Sequence, residues 1–386
     1  MSWNYPLPPL SFFCQKGFGG GVWDQYRHAG YQLAPVSIPI SYQMTTPRVS
    51  WAMGPEVAGY RLPAIGWDGV MKVGRQTTLR DQAVLNGIGV HSGLPVTLTL
   101  HPAEANTGLR FIRSGLGGGR DREVCAEIGA VTATEFATVL GDASGPLVST
   151  AEHVLAALRG LGVDNAVVEI DGPETPIMDG SAAPFVAAID QVGLESLDAP
   201  RRFIRVLKPV RVALQNAYAE FRPYARGFRV EAEIAFDHAA IGRQSLTLDV
   251  RPDIFRREIA RARTFGFMRD VSKLWSAGYA LGASLENTLV VAENRVLNPE
   301  GLRFRDEFVR HKMLDAIGDL ALAGAPLLGV YRTVHGGHKL NYAALSALMA
   351  DTSAWALTEG EPAWPARSHA ELGMGLAAPA YAPDVS

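Results

Sequence analysis

One stretch carries residues whose types and spacing suit chemistry: Arg310-His311-Lys312-Met313-Leu314-Asp315-Ala316-Ile317-Gly318-Asp319. Met313, Leu314, Ile317 and Leu320 recur at helical spacing, which predicts a helix over about 304–323. Steps of four advance about 40° past a full turn, so His311, Asp315 and Asp319 share one side of it. A neutral imidazole nitrogen and a carboxylate oxygen one turn apart both reach a single Zn²⁺ at about 2.0–2.2 Å. The same three residues would also serve as a solvated stripe with a capping role, and this segment alone leaves both readings open.

Two further stretches bear on the choice. In Leu147-Val148-Ser149-Thr150-Ala151-Glu152-His153, Ser149 followed three residues later by Glu152 reads as a capping box at a helix start. That would give Glu152 a purely structural task, but it does not account for His153. An acidic residue beside a histidine at a helix N-terminus can put a general base next to a metal ligand. The turn His335-Gly336-Gly337-His338 supplies a third imidazole. Two histidines and one carboxylate around zinc leave a fourth position open, the pattern of catalytic zinc. Zinc lowers the pKa of bound water from about 15.7 toward about 7, and Glu152 can take that water's proton. Hydrolysis of an amide also requires an acid for the nitrogen leaving group. His338 can serve, kept protonated by Asp319. Lys312 can stabilise an oxyanion or bind a phosphate.

Behind these residues stand the elements that must place them. Residues 74–111 pattern as strands, with a glycine-punctuated turn at Gly87-Ile88-Gly89-Val90-His91-Ser92-Gly93. His91 in that turn reads first as a structural histidine. Short strands are expected around 126–128 and 137–140. The Glu152–His153 helix leads to a strand at 165–170. Asp179, in the turn Pro176-Ile177-Met178-Asp179-Gly180-Ser181, reads as a turn former before a supporting carboxylate, with Ser181 capping a helix over 182–192. Residues 194–201 read as a linker. Strands are expected at 203–206, 210–214, 219–223 and 228–236, then a helix over 252–260. An apolar excursion between Thr264 and Asn294 follows, whose pattern alone suggests ordinary packing. After the His311 helix come a strand at 327–332 and a helix over 342–349.

This order predicts an α+β fold of two similar domains, 74–197 and 202–350, each layering helices on a sheet. The site would lie at their junction, where pockets commonly form. Residues 1–70, broken by prolines and glycines, read as an irregular extension without the features of a signal peptide. Met71 reads as the natural start, and 351–386 as a C-terminal tail that frays from Pro362 on.

Composition sets the outer bounds. The 386 residues are 47% hydrophobic and 19% charged, with net charge −3, which suits a globular protein of two domains and not a nucleic-acid binder. Cys14 and Cys125 are too few for a disulfide framework or a Cys-rich metal site. A cytoplasmic monomer with no membrane-spanning segment is expected.

Five motifs resemble those of the UDP-3-O-acyl-N-acetylglucosamine deacetylases, zinc enzymes of lipid A synthesis. They are Gly-Ile-Gly-Val-His-Ser-Gly at 87–93, Ser-Thr-Ala-Glu-His at 149–153, Ile-Met-Asp-Gly-Ser-Ala-Ala-Pro-Phe at 177–185, Arg-Ala-Arg-Thr-Phe-Gly-Phe-Met-Arg-Asp at 261–270, and the stretch 308–319. The resemblance spans about 74–350. It implies zinc held by His153, His311 and Asp315, with Fe²⁺ able to suit the same ligands. Glu152 would be the general base, His338 the general acid oriented by Asp319, and Thr264 an aid at the acetyl carbonyl. Phe265 and Lys312 would contact substrate, with Gly282, Ser284 and His91 as further substrate-binding candidates. The 264–294 excursion would form the passage for the acyl chain, against the plain-packing reading above. Ala283 and the segment Leu285-Glu286-Asn287 depart from the family pattern near that passage, which leaves chain-length preference open. The alternative is a non-catalytic relative that binds nucleotide sugar or lipid.

Overall fold

The computed structural model describes residues 74–116 and 121–360. The expected extension at 1–70, the start at Met71 and the far end of the expected tail lie outside the described residues.

The first half of the chain runs β1 (Arg75–Leu79), β2 (Ala83–Ile88), β3 (Pro95–Pro102), β4 (Leu109–Arg113), β5 (Arg122–Cys125), β6 (Val131–Ala133), β7 (Val139–Asp142), β8 (Gly145–Val148), helix α1 (Glu152–Leu161), β9 (Ala166–Ile170), α2 (Ala183–Val192) and β10 (Leu194–Pro200). The second runs β11 (Arg202–Val206), β12 (Val210–Leu214), β13 (Ala217–Arg222), β14 (Phe228–Ala235), β15 (Arg243–Asp249), the single turn α3 (Pro252–Ile254), β16 (Phe265–Phe267), α4 (Val271–Ser276), β17 (Leu289–Val291), α5 (Glu307–Leu320), β18 (Leu327–Val334), α6 (His338–Ala350) and β19 (Trp355–Glu359).

The α+β class holds, and the strands sort by chain half. Strands β2, β3, β9, β4 and β5 form one sheet, while β11 to β15, β18 and β19 form a seven-stranded one. β3 shows why such a strand works: every second residue is buried and the others face outward, as the period-two pattern requires. Leu98, Leu100, Phe111 and Val168 from the first sheet join Ile204, Phe221, Val230 and Tyr331 from the second in a shared hydrophobic core.

Helices α1 and α5 are buried over nearly all of their residues, the signature of helices inside a fold. They pack on each other. At the crossing a Cβ on Gly318 would lie 2.0 Å from the carbonyl oxygen of Glu152. Only a residue without a side chain lets α5 come this close to the start of α1.

Several expectations are corrected. Residues 194–201 are not a linker: β10 pairs antiparallel with β1. Its polar composition hid a strand whose backbone groups are satisfied by a partner more than a hundred residues upstream. The segment assigned to the tail from 351 begins instead with a sheet strand, β19, paired with β11. The helix expected from 342 begins at His338. The expected helix over 252–260 is one α turn followed by a π turn, Phe255–Ile259, and the segment expected as a strand near 128 is a 3₁₀ turn.

Candidate metal and acid–base site

Helix α5 presents His311, Asp315 and Asp319 along one side, all buried, and α1 brings Glu152 and His153 to the same place. The ligand-type atoms of His153, His311 and Asp315 lie within 4.8 Å of one another, as do those of Glu152, Asp319 and His338. The solvated-stripe reading of α5 is thereby excluded.

In the first group, His311 Nδ1 lies 3.0 Å from the carbonyl oxygen of Ala262. A carbonyl only accepts, so the ring proton sits on Nδ1 and the lone pair of Nε2 is free. That Nε2 stands 3.2 Å from Asp315 Oδ1, and His153 Nε2 stands 3.8 Å from the same oxygen. The other Asp315 oxygen accepts from Lys312 Nζ at 2.8 Å. The two imidazoles meet edge to face at 84°.

Burial pushes His153 down to about 3, aided by His311, and burial lowers His311 against the pull of Asp315. Both shifts favour the neutral ring, the form that donates a lone pair. Burial alone would raise the Asp315 carboxyl, but His311 and Lys312 outweigh it and hold the group well below the usual carboxylate range. Tetrahedral bonds of about 2.0–2.1 Å put ligand atoms roughly 3.4 Å apart, so two neutral nitrogens and an anionic oxygen at these separations fit one divalent ion. His153 Nδ1 is buried with no hydrogen-bond partner among the described residues.

The second group sets the Glu152 carboxyl against the His338 imidazole, with the Asp319 carboxylate behind the ring. His338 Nδ1 donates to Asp319 Oδ2 at 2.9 Å, and its Nε2 faces Glu152 Oε1 at 3.8 Å. Burial disfavours the imidazolium, yet Asp319 and Glu152 outweigh it and raise His338 to about 10. Burial pushes Glu152 up to about 7, against the attraction of His338.

The capping-box reading of Glu152 is corrected. Ala151 is the cap residue of α1, with no side-chain cap bond, and the Glu152 carboxylate accepts the Thr138 N–H at 3.0 Å. Ser149 joins an isolated bridge to Glu174 instead. Thr150, just before α1, holds a left-handed φ of 58°, a strained choice for a β-branched residue. Its hydroxyl donates to Glu174 Oε1 at 2.8 Å.

The remaining candidates are placed as follows. The Phe265 ring centroid is 6.4 Å from that of His311, and Lys312 Nζ lies 5.5 Å above the Phe265 ring. Thr264 precedes Phe265 and is fixed by backbone bonds to Gly180 and Leu289. Asp179 does what a turn former does, accepting from Ser181, and also pairs with Arg303 at 2.8 Å. His91, Gly282 and Ser284 do not join the ligand cluster. The Gly282 N–H donates to Val90, and a Cβ there would meet the Gly89 carbonyl at 2.3 Å. The His91 ring packs edge-on against Tyr279. Ser284 accepts the Glu286 N–H. His91 and Gly282 join the 88–93 turn to the 279–287 turn, while the bonds of Ser284 stay within the latter.

Sequence reasoning passed over Thr138, Glu174 and any role for Asn341. Thr138 Oγ1 donates to Asp319 Oδ1 at 2.6 Å, and Asn341 Nδ2 to Asp319 Oδ2 at 2.8 Å. Asn341 lies one turn beyond His338, a helical spacing that offered a signal. Thr138 falls in the strand expected at 137–140, and nothing in that short pattern marks its polar groups as partners of Glu152 and Asp319.

Among the described residues no helix is long and apolar enough to cross a membrane. A sequence model of the family described as UDP-3-O-acyl N-acetylglycosamine deacetylase matches residues 76–350. Relatives named UDP-3-O-acyl-N-acetylglucosamine deacetylase from Brucella ovis and Brucella canis are 51% identical over 286 residues, covering 74% of this chain and 98% of theirs. One from Brucella melitensis is 50% identical with the same coverage.

Proposed function

We propose, because this chain belongs to the UDP-3-O-acyl N-acetylglycosamine deacetylase family, that it hydrolyses the N-acetyl group of UDP-3-O-acyl-N-acetylglucosamine. The products are acetate and the free amine, a step of lipid A biosynthesis. The observation that carries the reading is the convergence of two neutral imidazoles and one carboxylate, drawn from α1 and α5, beside a buried carboxyl–imidazolium pair.

His153 Nε2, His311 Nε2 and Asp315 Oδ1 would hold Zn²⁺, and Fe²⁺ suits the same donors. Bound there, the ion supplies Lewis-acid polarisation of the acetyl carbonyl and of the attacking water. Glu152 takes a proton from that water as its oxygen bonds to the acetyl carbon. A group near 7 is matched to this work at neutral pH. As the C–N bond breaks, His338 gives its Nε2 proton to the departing nitrogen, while Asp319 holds Nδ1 and keeps the ring aimed. Thr264 and Lys312 support the acetyl carbonyl oxygen, and Phe265 packs against substrate. The 264–294 excursion, with Gly282, Ser284 and His91 at its turns, carries the acyl chain. The two halves of the chain act as two similar domains with the site at their junction, and the enzyme works as a cytoplasmic monomer.

The test is acetate release from UDP-3-O-acyl-N-acetylglucosamine, with and without chelator. Glu152→Ala and His338→Ala should each lower turnover about 10²–10⁴-fold while retaining metal, and His311→Ala should lose the metal. Full turnover in both acid–base variants would sink the reading.

A further inference from the structure

Thr138 commits all three of its polar groups to this site. Its N–H donates to Glu152 Oε2 at 3.0 Å, and its carbonyl accepts the N–H of Ala151, the cap residue of α1, at 3.2 Å. Its hydroxyl donates to Asp319 Oδ1 at 2.6 Å. The first two bonds reach α1 and the third reaches α5. The residue is 2% exposed, so these bonds form away from bulk water.

Asp319 is an aspartate whose outer torsion is intrinsically broad. With His338 Nδ1 and Asn341 Nδ2 both on Oδ2, the carboxylate would remain free to swing about that oxygen. The Thr138 hydroxyl occupies Oδ1 and fixes the plane. With three donors on Asp319, the proton shared with His338 stays on Nδ1, and His338 Nε2 is left pointing at Glu152 Oε1. Tyr331 OH in turn donates to Asn341 Oδ1 at 2.6 Å and fixes the orientation of that amide.

We infer that Thr138 is a positioning residue for the hydrolysis: its hydroxyl sets the Asp319 plane that aims His338, while its N–H sets Glu152. This rests on the acid and base roles proposed above. It makes one small residue before β7 the tie that keeps the general base and the general acid's partner in register, although they belong to different helices.

Substitution separates the two functions, because the backbone bond to Glu152 survives any side chain. Thr138→Val keeps the volume and removes only the hydroxyl. Thr138→Ser keeps the hydroxyl and removes a methyl. With the full-length, metal-loaded enzyme, Thr138→Val should lower kcat about ten- to a hundred-fold, the scale of losing an outer-shell hydrogen bond. KM, bound metal and melting temperature should stay close to wild type. Thr138→Ser should recover most of the kcat. The inference is overturned if Thr138→Val turns over like wild type, or if Thr138→Ser is as slow as Thr138→Val, which would make the methyl packing responsible. Glu152→Ala and His338→Ala run alongside. If these keep full turnover, the acid–base reading itself has failed. If they lose it while Thr138→Val does not, only the positioning role is lost.

Discussion

At the scale of single residues, the proton on His338 is decided by opposing effects. Burial disfavours the imidazolium, but Asp319 and Glu152 win and raise the group to about 10. An unperturbed histidine sits near 6.5. A group whose folded value lies above its unfolded one stabilises fully below the unfolded value and loses that contribution as pH rises through the folded value. The stability gap between wild type and His338→Gln, measured by urea unfolding, should therefore be widest below about pH 6.5 and close as pH approaches 10. A gap that widened with pH would contradict this. Much of this group was legible in the sequence. Helical spacing alone aligned His311, Asp315 and Asp319, and adjacency tied Glu152 to His153. Thr138 was not legible, because its partners are fixed by the approach of a strand to two helix surfaces, which no local period records.

At the scale of elements, the site exists because α1 and α5 approach more closely than side chains normally allow. Gly318 is one residue from Asp319, and a methyl there would meet the Glu152 carbonyl oxygen at 2.0 Å. The listener at that contact is backbone, so it cannot swing aside as a flexible side chain would. Gly318→Ala should push the start of α1 off α5 and cost about 1–3 kcal/mol of stability, the range for overpacking a tight core. It should also weaken metal binding, because His153 moves away from His311 and Asp315. Thermal unfolding with metal analysis checks both, and a wild-type melting temperature with full metal content would rule the crossing out as the constraint. The helices themselves were readable from their apolar period. Strands β10 and β19 were not, since each is partly polar and defined by a distant partner. The start of α6 was hidden by Gly336-Gly337: Gly337 is extended at φ −163° and the helix begins at the next residue.

At the scale of the whole molecule, the metal would act as a cross-link as well as a reagent. The three ligands proposed for it come from α1 in the first half of the chain and α5 in the second, and the unfolded chain does not hold them together. An ion that binds only the folded state stabilises it by RT ln(1 + [L]/Kd), about 2.7 kcal/mol at a free concentration one hundred times Kd. Removing it leaves neutral His153 and His311 nitrogens facing Asp315 Oδ1 with no proton to share. His311 has already given its proton to Ala262, so the lone pairs are left to repel. Chelation should therefore lower the melting temperature of the wild-type enzyme and speed amide exchange at the start of α1 and the middle of α5. Asp315→Ala, which removes an anionic ligand, should melt at one temperature with or without chelator. Readdition of Zn²⁺ should restore the wild type alone. If chelated and metal-loaded wild type melted together, or if Asp315→Ala kept the full metal-dependent shift, the ion would not be joining the two helices at this place.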